Sequence, residues 1–226
     1  MCKIVINNRN RLTTTKNMVE KLLSINQKEE IIIIDNDSSY PPLLEWYSTL
    51  PENVKVLFNE NLGHLALWRI GLDKELGEHF IYTDADIILP SSLPLDWKEI
   101  MFDVMNRYPE YNKVALALNI GDLPEHYRYK YQVMRNEGSW WLDKVEDNVF
   151  KADTDTTFAL MKNFNDNCYK SLRIARPDMI CRHHGWYLNL EELDEEELYY
   201  IEHLETSKVT TQYSKQHKDP SKYTDI

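Results

Sequence analysis

The amino-acid sequence predicts an α/β protein with a doubly wound, mostly parallel sheet and helices on both faces. Three observations predict this class. Short, β-branched apolar runs such as residues 31–34 are typical of strands that are covered on both faces. Segments with apolar residues at helical spacing separate these runs, and such alternation favours a parallel sheet. The first four runs end in polar clusters, as expected where a ligand binds at the carboxyl ends of parallel strands.

Strands and helices alternate along the first half of the chain. Apolar runs predict strands at 4–6, 31–34, 54–58, 79–83 and 113–119. Helical spacing predicts helices over 13–25, 42–50, 65–76 and 96–108. For the helix ends we expect an N-cap from Thr13, Thr14 or Thr15, another from Asp96, and a stop at Gly77. The polar clusters at the strand ends are residues 7–11, 35–37, 59–61 and 84–86.

The second half of the chain is less regular, although we expect one domain over residues 1–226. Residues 122–148 are polar and aromatic. Short strands are expected at 150–152, 157–161, 173–175 and 179–181. An acidic helix is expected over 190–204, with its run of acidic residues on a solvated face. The apolar residues expected to point inward from this helix are Leu190, Leu193, Leu198, Ile201 and Leu204.

Net charge and cysteine use restrict the partners and the compartment. The net charge of −11 argues against nucleic acid as a partner, because binding to phosphates needs clustered Lys and Arg. Cys2, Cys168 and Cys181 form no Cys-x-x-Cys pair, which indicates free thiols in a reducing compartment. No signal-peptide pattern is present, and no apolar run approaches the roughly 20 residues of a membrane span. We expect a cytoplasmic protein without a transmembrane segment, and peripheral contact with a membrane stays open.

An Asp-x-Asp pair occurs three times, at 35/37, 84/86 and 153/155, so the spacing alone has little meaning. The Asp84/Asp86 copy differs because it directly follows the apolar strand 80–82 and precedes the apolar residues 87–89. Holding two carboxylates together at a strand end is costly without a cation beside them. Mg²⁺ or Mn²⁺ would take carboxylate oxygens together with donor phosphates. The alternative is a turn whose carboxylates accept hydrogen bonds from nearby amides.

The order of motifs resembles the family 2 glycosyltransferases and their GT-A relatives. The motifs are a strand with an Asn/Arg tip, a strand followed by "DND", then "NENLGH" and "FIYTDADI". The resemblance implies a GT-A fold and transfer of a sugar, with a hexose expected, from a nucleotide-sugar donor to a glycan or other hydroxyl acceptor. A UDP-sugar is favoured as the donor, and Mn²⁺ or Mg²⁺ is the implied cofactor. Residues 1–95 would bind the donor, residues 96–205 the acceptor, and residues 206–226 form a polar tail.

The resemblance also implies roles for individual residues at the strand ends. Asp35 would contact the nucleoside, with Asn7 and Arg9 nearby. Asn61 and Gly63 match the "NxG" turn of the family. Asp84 would lie towards the ribose and the metal, and Asp86 would bind the metal. The alternative for Asp35 is a turn-forming role.

Several further residues are candidates for the site. In "RHHGWYLN" one of His183 and His184 is the candidate third metal ligand, His183 being favoured by the resemblance, although paired histidines also serve structural roles. Trp186 would stack on the sugar or anchor its loop, and Trp140 and Trp141 would form an acceptor platform. Arg69 would neutralise Asp84 or Asp86, or pack its helix. The tail residues proposed to close over the diphosphate are Lys215, His217 and Lys218.

An inverting transfer needs a base that takes the proton of the acceptor hydroxyl. Asp155 is the first candidate and Asp153 the second, because both lie between two apolar strands where burial raises a pKa. The usual Glu-Asp pair of the family is absent here. A retaining transfer would need no such base, and the sequence leaves the two outcomes open.

Three other classes of protein are alternatives to a glycosyltransferase. A haloacid-dehalogenase phosphatase carries Asp-x-Asp on its first strand, but here that strand ends in Asn7 and Asn8. A sugar nucleotidyltransferase needs a glycine-rich loop after the first strand, and "INNRNRL" contains no glycine. The serious alternative is a catalytically silent nucleotide-sugar or carbohydrate-binding protein on the same scaffold.

Overall fold

The computed structural model describes residues 2–25, 30–154, 157–163 and 170–204. Its β-strands, in chain order, are β1 Lys3–Asn8, β2 Ile31–Asn36, β3 Val54–Asn59, β4 His79–Asp84, β5 Ile87–Ile88, β6 Lys113–Leu116, β7 Lys144–Glu146, β8 Val149–Lys151, β9 Ala159–Lys162, β10 Ser171–Ile174 and β11 Arg182–His183. Its α-helices are α1 Thr13–Ser24, α2 Pro41–Tyr47, α3 Ala66–Arg69, α4 Trp97–Arg107, α5 Lys130–Ser139 and α6 Glu195–Glu202. Single 3₁₀ turns occupy Gly63–Leu65, Leu72–Glu75 and His184–Trp186.

Nine of these strands form the central sheet, in the order β3-β2-β1-β4-β9-β6-β10-β8-β7. β1 to β4 are parallel, β9 runs antiparallel to both β4 and β6, and β10 is parallel to β6. β8 is reversed again relative to β10, and β7 relative to β8. In the described part of the chain, all strands of this sheet except β8 and β9 therefore point the same way, so the sheet is mixed and mostly parallel.

Helices cover both faces of the sheet, as the apolar runs predicted. On one face Ile4, Ile6 and Ile33 pack with side chains of α1, α2 and α4. On the other face Val5 and Ile34 pack with side chains of α3 and of the 3₁₀ turn that follows it. Alternate residues of the buried strands thus enter opposite cores, which explains why the runs are apolar throughout instead of alternating.

The helix predicted over 65–76 is wrong, because the chain breaks it into α3 and a separate 3₁₀ turn. Gly71 separates the two pieces with a left-handed backbone, φ 73°. Glycine adopts this conformation without the cost that a Cβ brings. The apolar spacing across the break continues, with Leu72 and Leu76 still buried, so periodicity alone gave no sign of it.

We expect Gly71→Ala to lower the free energy of unfolding by about 1 kcal/mol, since a non-glycine residue in the left-handed region costs roughly 1–2 kcal/mol. Crowding would not add to this cost, because no atom lies within 4 Å of the new Cβ. Gly138→Ala, inside α5, is the matched control and should instead stabilise by about 0.5–1 kcal/mol. Urea unfolding measures both changes. Equal effects of the two alanines would contradict a special role for the backbone at Gly71.

The second half differs from the prediction in several places, which include the unpredicted strand β7. The helix α5 was not predicted, because Val133 is its buried residue and its other apolar side chains, such as Tyr131, are exposed and form no stripe. The strand predicted at 113–119 ends at Leu116, although Leu118 still forms an isolated parallel bridge to Cys181. The strand predicted at 179–181 is correspondingly shifted to β11.

The predicted caps of α1 and α4 are wrong in detail. Thr14 and Thr15 lie buried within α1. The first amide of this helix is capped instead by Glu196, which is distant in the sequence. The Thr13 N–H lies 3.1 and 3.0 Å from the two carboxylate oxygens of Glu196, which accept its hydrogen bond, and the Thr13 hydroxyl donates to the same carboxylate at 2.7 Å. Asp96 occupies the N-cap position of α4 without a side-chain hydrogen bond to the helix.

The acidic helix α6 is shorter than predicted, and its predicted orientation is only partly found, since Leu193, Ile201 and Leu204 are half-buried. Leu190 and Leu198, expected to point inward, are exposed. Glu196 and Glu197, expected on the solvated face, are buried. The acidic run is therefore only partly a solvent-facing surface, and two of its carboxylates make specific contacts with the amino-terminal part of the chain.

Two separate findings concern the thiols and the membrane. Cys2 and Cys181 are buried and form no disulfide among the described residues, and burial raises the pKa of Cys181. Cys168 lies outside the described residues. Within the described ranges, none of the helices combines the length and the apolar character needed to cross a bilayer.

Candidate functional site

The register of the parallel strands brings the polar clusters to one edge of the sheet. Asn7 at the end of β1 pairs with Asp84 at the end of β4, and Asn8 pairs with Asp35 at the end of β2. The amide of Ala85 donates to the carbonyl of Asn7 at 3.1 Å, which extends this pairing past the strand end. The predicted convergence of the strand ends is therefore present.

Asp86 and His183 face each other just beyond this edge. The Oδ2 atom of Asp86 lies 3.5 Å from Nε2 of His183. Their backbones are held by the small antiparallel sheet of β5 and β11, in which His183 pairs with Ile87. The His184 amide adds a hydrogen bond to the Asp86 carbonyl at 2.8 Å. A ring of Trp186 stacks on the His183 imidazole with 5.1 Å between centroids and 15° between planes.

The donor set of Asp86 and His183 fits a divalent cation. Asp86 Oδ1, next to the oxygen that faces His183, is a buried atom without a hydrogen-bond partner among the described residues, which is costly unless something else satisfies it. A carboxylate oxygen with an imidazole nitrogen suits Mn²⁺-type ions. Two ligands at right angles on one such ion lie about 3 Å apart, close to the distance between these two side chains. In the described ranges no group of three or more His, Cys, Asp or Glu residues could hold a metal, and the metal role of Asp84 stays a prediction.

The two adjacent histidines have different surroundings. His184 Nε2 lies 2.8 Å from a carboxylate oxygen of Glu197, which also forms an ion pair with Arg11. Burial favours the neutral form of Glu197, but the hydrogen bond from His184 and the charge of Arg11 outweigh it and lower the pKa of this carboxyl. The guanidinium of Arg11 also lies 3.6 Å from the ring centroid of Tyr200, whose pKa is raised by burial and by the charge of Asp86. His183 is thus directed to Asp86, and His184 belongs to a buried cluster behind it.

The "NxG" turn lies against the tip of β1. Gly63, with φ 68°, accepts a hydrogen bond at its carbonyl from the Asn7 side chain at 3.3 Å. Its amide donates to Oδ1 of the buried Asn61 at 3.1 Å. Asn36 donates to Asn7 Oδ1 and so joins the ends of β1 and β2. These contacts bring Asn7 and Asn61 into one polar surface beside Asp84.

Asp35 is fully buried, and the protein itself uses both of its carboxylate oxygens. Tyr47 donates from its hydroxyl to Oδ2 at 2.8 Å, and the Ser38 amide donates to Oδ1 at 2.9 Å. Burial and the neighbouring carboxylate raise the pKa of Tyr47, so it stays a donor. These contacts fit the turn-forming alternative, and nucleoside contact by Asp35 stays a prediction.

The two predicted arginines contact backbone carbonyls. Arg9 donates to the carbonyl of His203, just after α6, at 2.8 Å. Arg69 donates to the carbonyl of Leu62 at 2.6 Å, within the turn that precedes α3. Both side chains therefore lie around the edge of the site. The contact of Arg69 fits the helix-packing alternative, and neutralisation of Asp84 or Asp86 by this residue stays a prediction.

The predicted acceptor residues are not all brought to the same place. Trp186 is buried against His183, which fits loop anchoring. Trp141 packs on Phe150 of β8, with 5.7 Å between ring centroids. Since β8 stands four strands from β4, this contact is about 19 Å away across the sheet. Trp140 and Trp141 are half-buried and are not brought together with Asp84 and Asp86.

The two predicted bases have different outcomes. The Ala152 amide donates to the carbonyl of Ser171, the first residue of β10, and Arg173 donates to the carbonyl of Asp153 at 3.3 Å. These contacts lie at the starts of the parallel strands, so Asp153 is at the opposite edge of the sheet from Asp84. The structure gives no support to a role of Asp153 as a base. Asp155 lies outside the described residues, as do Lys215, His217 and Lys218, so their roles stay predictions.

Sequence reasoning missed two groups beside Asp86 and His183. One is the cluster of Arg11, His184 and Glu197. The other is Asp122, which accepts from Nε of Arg182 at 2.9 Å and from the Tyr187 hydroxyl at 2.6 Å. The sequence carries one sign of the first group, because Asp-x-x-Glu is typical of the start of a helix and so marks the position of Glu197. In the structure Asp194 accepts from the Glu197 amide at 2.8 Å, as this pattern indicates.

Comparison with known proteins identifies the family. Residues 3–167 match the family described as Glycosyl transferase family 2. This match covers more than half of the 226 residues, and the chain belongs to that family. Together with the sheet topology, membership confirms the GT-A fold class expected from the resemblance. No curated protein sequence matches the chain.

Solved structures show a weaker likeness. Glucosyl-3-phosphoglycerate synthase from Mycobacterium tuberculosis is 13% identical with a TM-score of 0.46, covering 72% of this chain and 57% of that one. 4-Diphosphocytidyl-2C-methyl-D-erythritol synthase from Anaerococcus prevotii is 8% identical with a TM-score of 0.47, covering 88% and 95%. Mannose-1-phosphate geranyltransferase from Thermus thermophilus is 14% identical with a TM-score of 0.40, covering 73% and 50%. The chain thus spans little more than half of the first structure, and these scores add nothing to the family assignment.

Proposed function

We propose that this protein transfers a hexose from a nucleoside diphosphate sugar, with a UDP-sugar favoured, to the hydroxyl of a glycan or other acceptor. We further propose that Asp86 and His183 hold Mn²⁺ or Mg²⁺ for this reaction. The observation that carries the proposal is the 3.5 Å approach of Asp86 Oδ2 to His183 Nε2, beside the buried Oδ1 atom of the same carboxylate, which lacks a partner among the described residues. Family membership supports the reaction class.

Charge supports a cation as the means of binding the donor. The protein has a net charge of −11, and a diphosphate is itself an anion. A bound divalent ion is commonly the largest local charge in such a site, and it replaces the repulsion between the acidic protein and the diphosphate by attraction. When bound, it would neutralise the charge that develops on the leaving nucleoside diphosphate. Mg²⁺ typically takes only one or two protein carboxylates and completes its shell with phosphates and water, which agrees with a two-residue protein contribution.

The remaining roles follow from the positions of the chain's own side chains. Asp84 and Asn7 at the paired strand ends, with the turn that carries Asn61, would contact the ribose and the nucleoside. The stacked ring of Trp186 would keep the His183 imidazole turned towards Asp86. The acceptor hydroxyl would approach from the side of the second half of the chain. In an inverting reaction Asp155 remains the proposed base, and in a retaining reaction none is required.

A panel of nucleotide-sugars tests the proposed reaction against the silent-binder alternative. The protein is incubated with each donor and Mn²⁺, and release of nucleoside diphosphate is measured with and without a chelator. Release from at least one donor that stops with the chelator supports the proposal. Tight binding of a donor without any release would favour the silent binder. Release that is unaffected by the chelator would contradict the metal.

A further inference from the structure

Glu197 is a buried carboxylate that the proposed reaction does not itself use. Its side chain is 2% exposed, and it comes from α6, far along the chain from its partner Arg11. Arg11 already balances its charge through the Oε1 atom, so charge compensation alone requires no second partner at that oxygen. The second partner, His184 Nε2 at 2.8 Å, therefore needs a separate explanation.

His184 is held at two points. Its amide donates to the carbonyl of Asp86, and its ring contacts Glu197. The preceding residue, His183, has an extended backbone with φ −92° and ψ 114°. His183 ends the extended strand β11 and His184 begins the 3₁₀ turn, so the two rings leave the backbone in different directions. Fixing the ring of His184 towards α6 therefore fixes the backbone from which the ring of His183 reaches Asp86.

The support provided by α6 does not depend on His184. Glu196 caps α1 through Thr13, and the Tyr199 hydroxyl donates to the carbonyl of Ser39 at 3.0 Å. The carbonyl that follows the helix accepts from Arg9. The helix is therefore anchored next to the ends of β1 and β2 by other contacts. The position of the Glu197 carboxylate is thus set without the help of His184.

We propose that Glu197 and His184 are positioning residues of the Asp86–His183 pair, and that α6 thereby sets the metal affinity of the site. This proposal rests on the proposed function. Groups that orient metal ligands without touching the metal typically change metal affinity about 10–100-fold when they are removed. His184→Ala tests it, because this change removes the contact with Glu197 and leaves the Arg11–Glu197 pair in place.

The experiment measures binding of Mn²⁺ by calorimetry, with uridine diphosphate present, and thermal unfolding without metal. We expect His184→Ala to weaken Mn²⁺ binding about 10–100-fold while the protein remains folded. His184→Gln, whose side-chain amide can donate to Glu197, should restore most of the affinity. Glu196→Gln is the matched control on the same helix. It weakens the cap of α1, because glutamine keeps one acceptor oxygen but loses the charge, and it should lower the Tm by at most about 2–4 °C, with an unchanged affinity for Mn²⁺.

The outcomes separate this proposal from the proposed function. Wild-type affinity in folded His184→Ala overturns the positioning role alone. Equal weakening by Glu196→Gln overturns it too, because general loosening of α6 would then be the cause. Complete loss in His184→Ala that glutamine does not restore makes His184 itself a ligand and also overturns it. If the wild-type protein binds no Mn²⁺ with uridine diphosphate, the proposed function fails, and this proposal fails with it.

Discussion

Asp86→Ala is expected to abolish Mn²⁺-dependent nucleotide binding and to leave the fold intact. The change removes the carboxylate that faces His183, so we expect a loss in metal affinity larger than the roughly 100-fold seen for groups that only orient ligands. Stability should hardly change, because Asp86 Oδ1 has no hydrogen-bond partner among the described residues, and the backbone carbonyl still accepts from His184. Calorimetric titration with uridine diphosphate, with and without Mn²⁺, measures the effect.

Asp147→Ala is the control for this change. Asp147 has a side chain that is 93% exposed, between β7 and β8, and its removal changes the net charge equally. We expect wild-type binding in this variant. Metal-dependent affinity that survives Asp86→Ala unchanged would contradict the assignment of Asp86, and an equal loss in both variants would indicate that net charge alone is responsible.

The second large effect is on stability. We expect Glu197→Ala to lower the free energy of unfolding by about 3–5 kcal/mol, because it leaves the guanidinium of Arg11 buried without its carboxylate. The Arg11 and Glu197 side chains are only 5% and 2% exposed, so water cannot readily replace the lost partner. Loss of the contact with His184 adds to the cost. Urea unfolding at neutral pH measures the change.

A double variant distinguishes an unpaired charge from simple loss of packing. Replacing a buried ion pair by apolar residues of similar volume is often close to neutral. Arg11→Met together with Glu197→Leu should therefore be more stable than Glu197→Ala. The thermodynamic cycle, completed with both single changes, should show strong coupling between the two positions. Additive effects of the single changes would contradict the ion pair as the source of the stability.

The sequence predicts the strands and their shared edge because both depend on local patterns. β-branched runs identify β1 to β4, and polar residues at their ends follow directly from the chain order. The sequence does not predict the partners of Asp153 and Trp141, because those depend on the insertion of β9 and on the placement of β8 in the strand order. That order is set by contacts between distant segments, for which one sequence carries no local sign.

The contact between α6 and the first strand end illustrates the same limit. Arg11 and Glu197 are 186 residues apart, and Glu197 stands in an acidic run that has the composition of a solvated surface. Only packing selects two of its carboxylates for burial. Similarly, only the resemblance to a family favours His183 over His184 in the sequence, because their physical distinction comes from the groups that each ring faces in the fold.

The most direct test is the identity of the nitrogen bound to the metal. The protein is loaded with Mn²⁺ and uridine diphosphate, and pulsed electron paramagnetic resonance detects coupling of the bound ion to a histidine nitrogen. We expect such coupling in the wild-type protein and in His184→Gln, and its loss in His183→Ala. Bound Mn²⁺ without nitrogen coupling, or coupling that persists in His183→Ala, would contradict it.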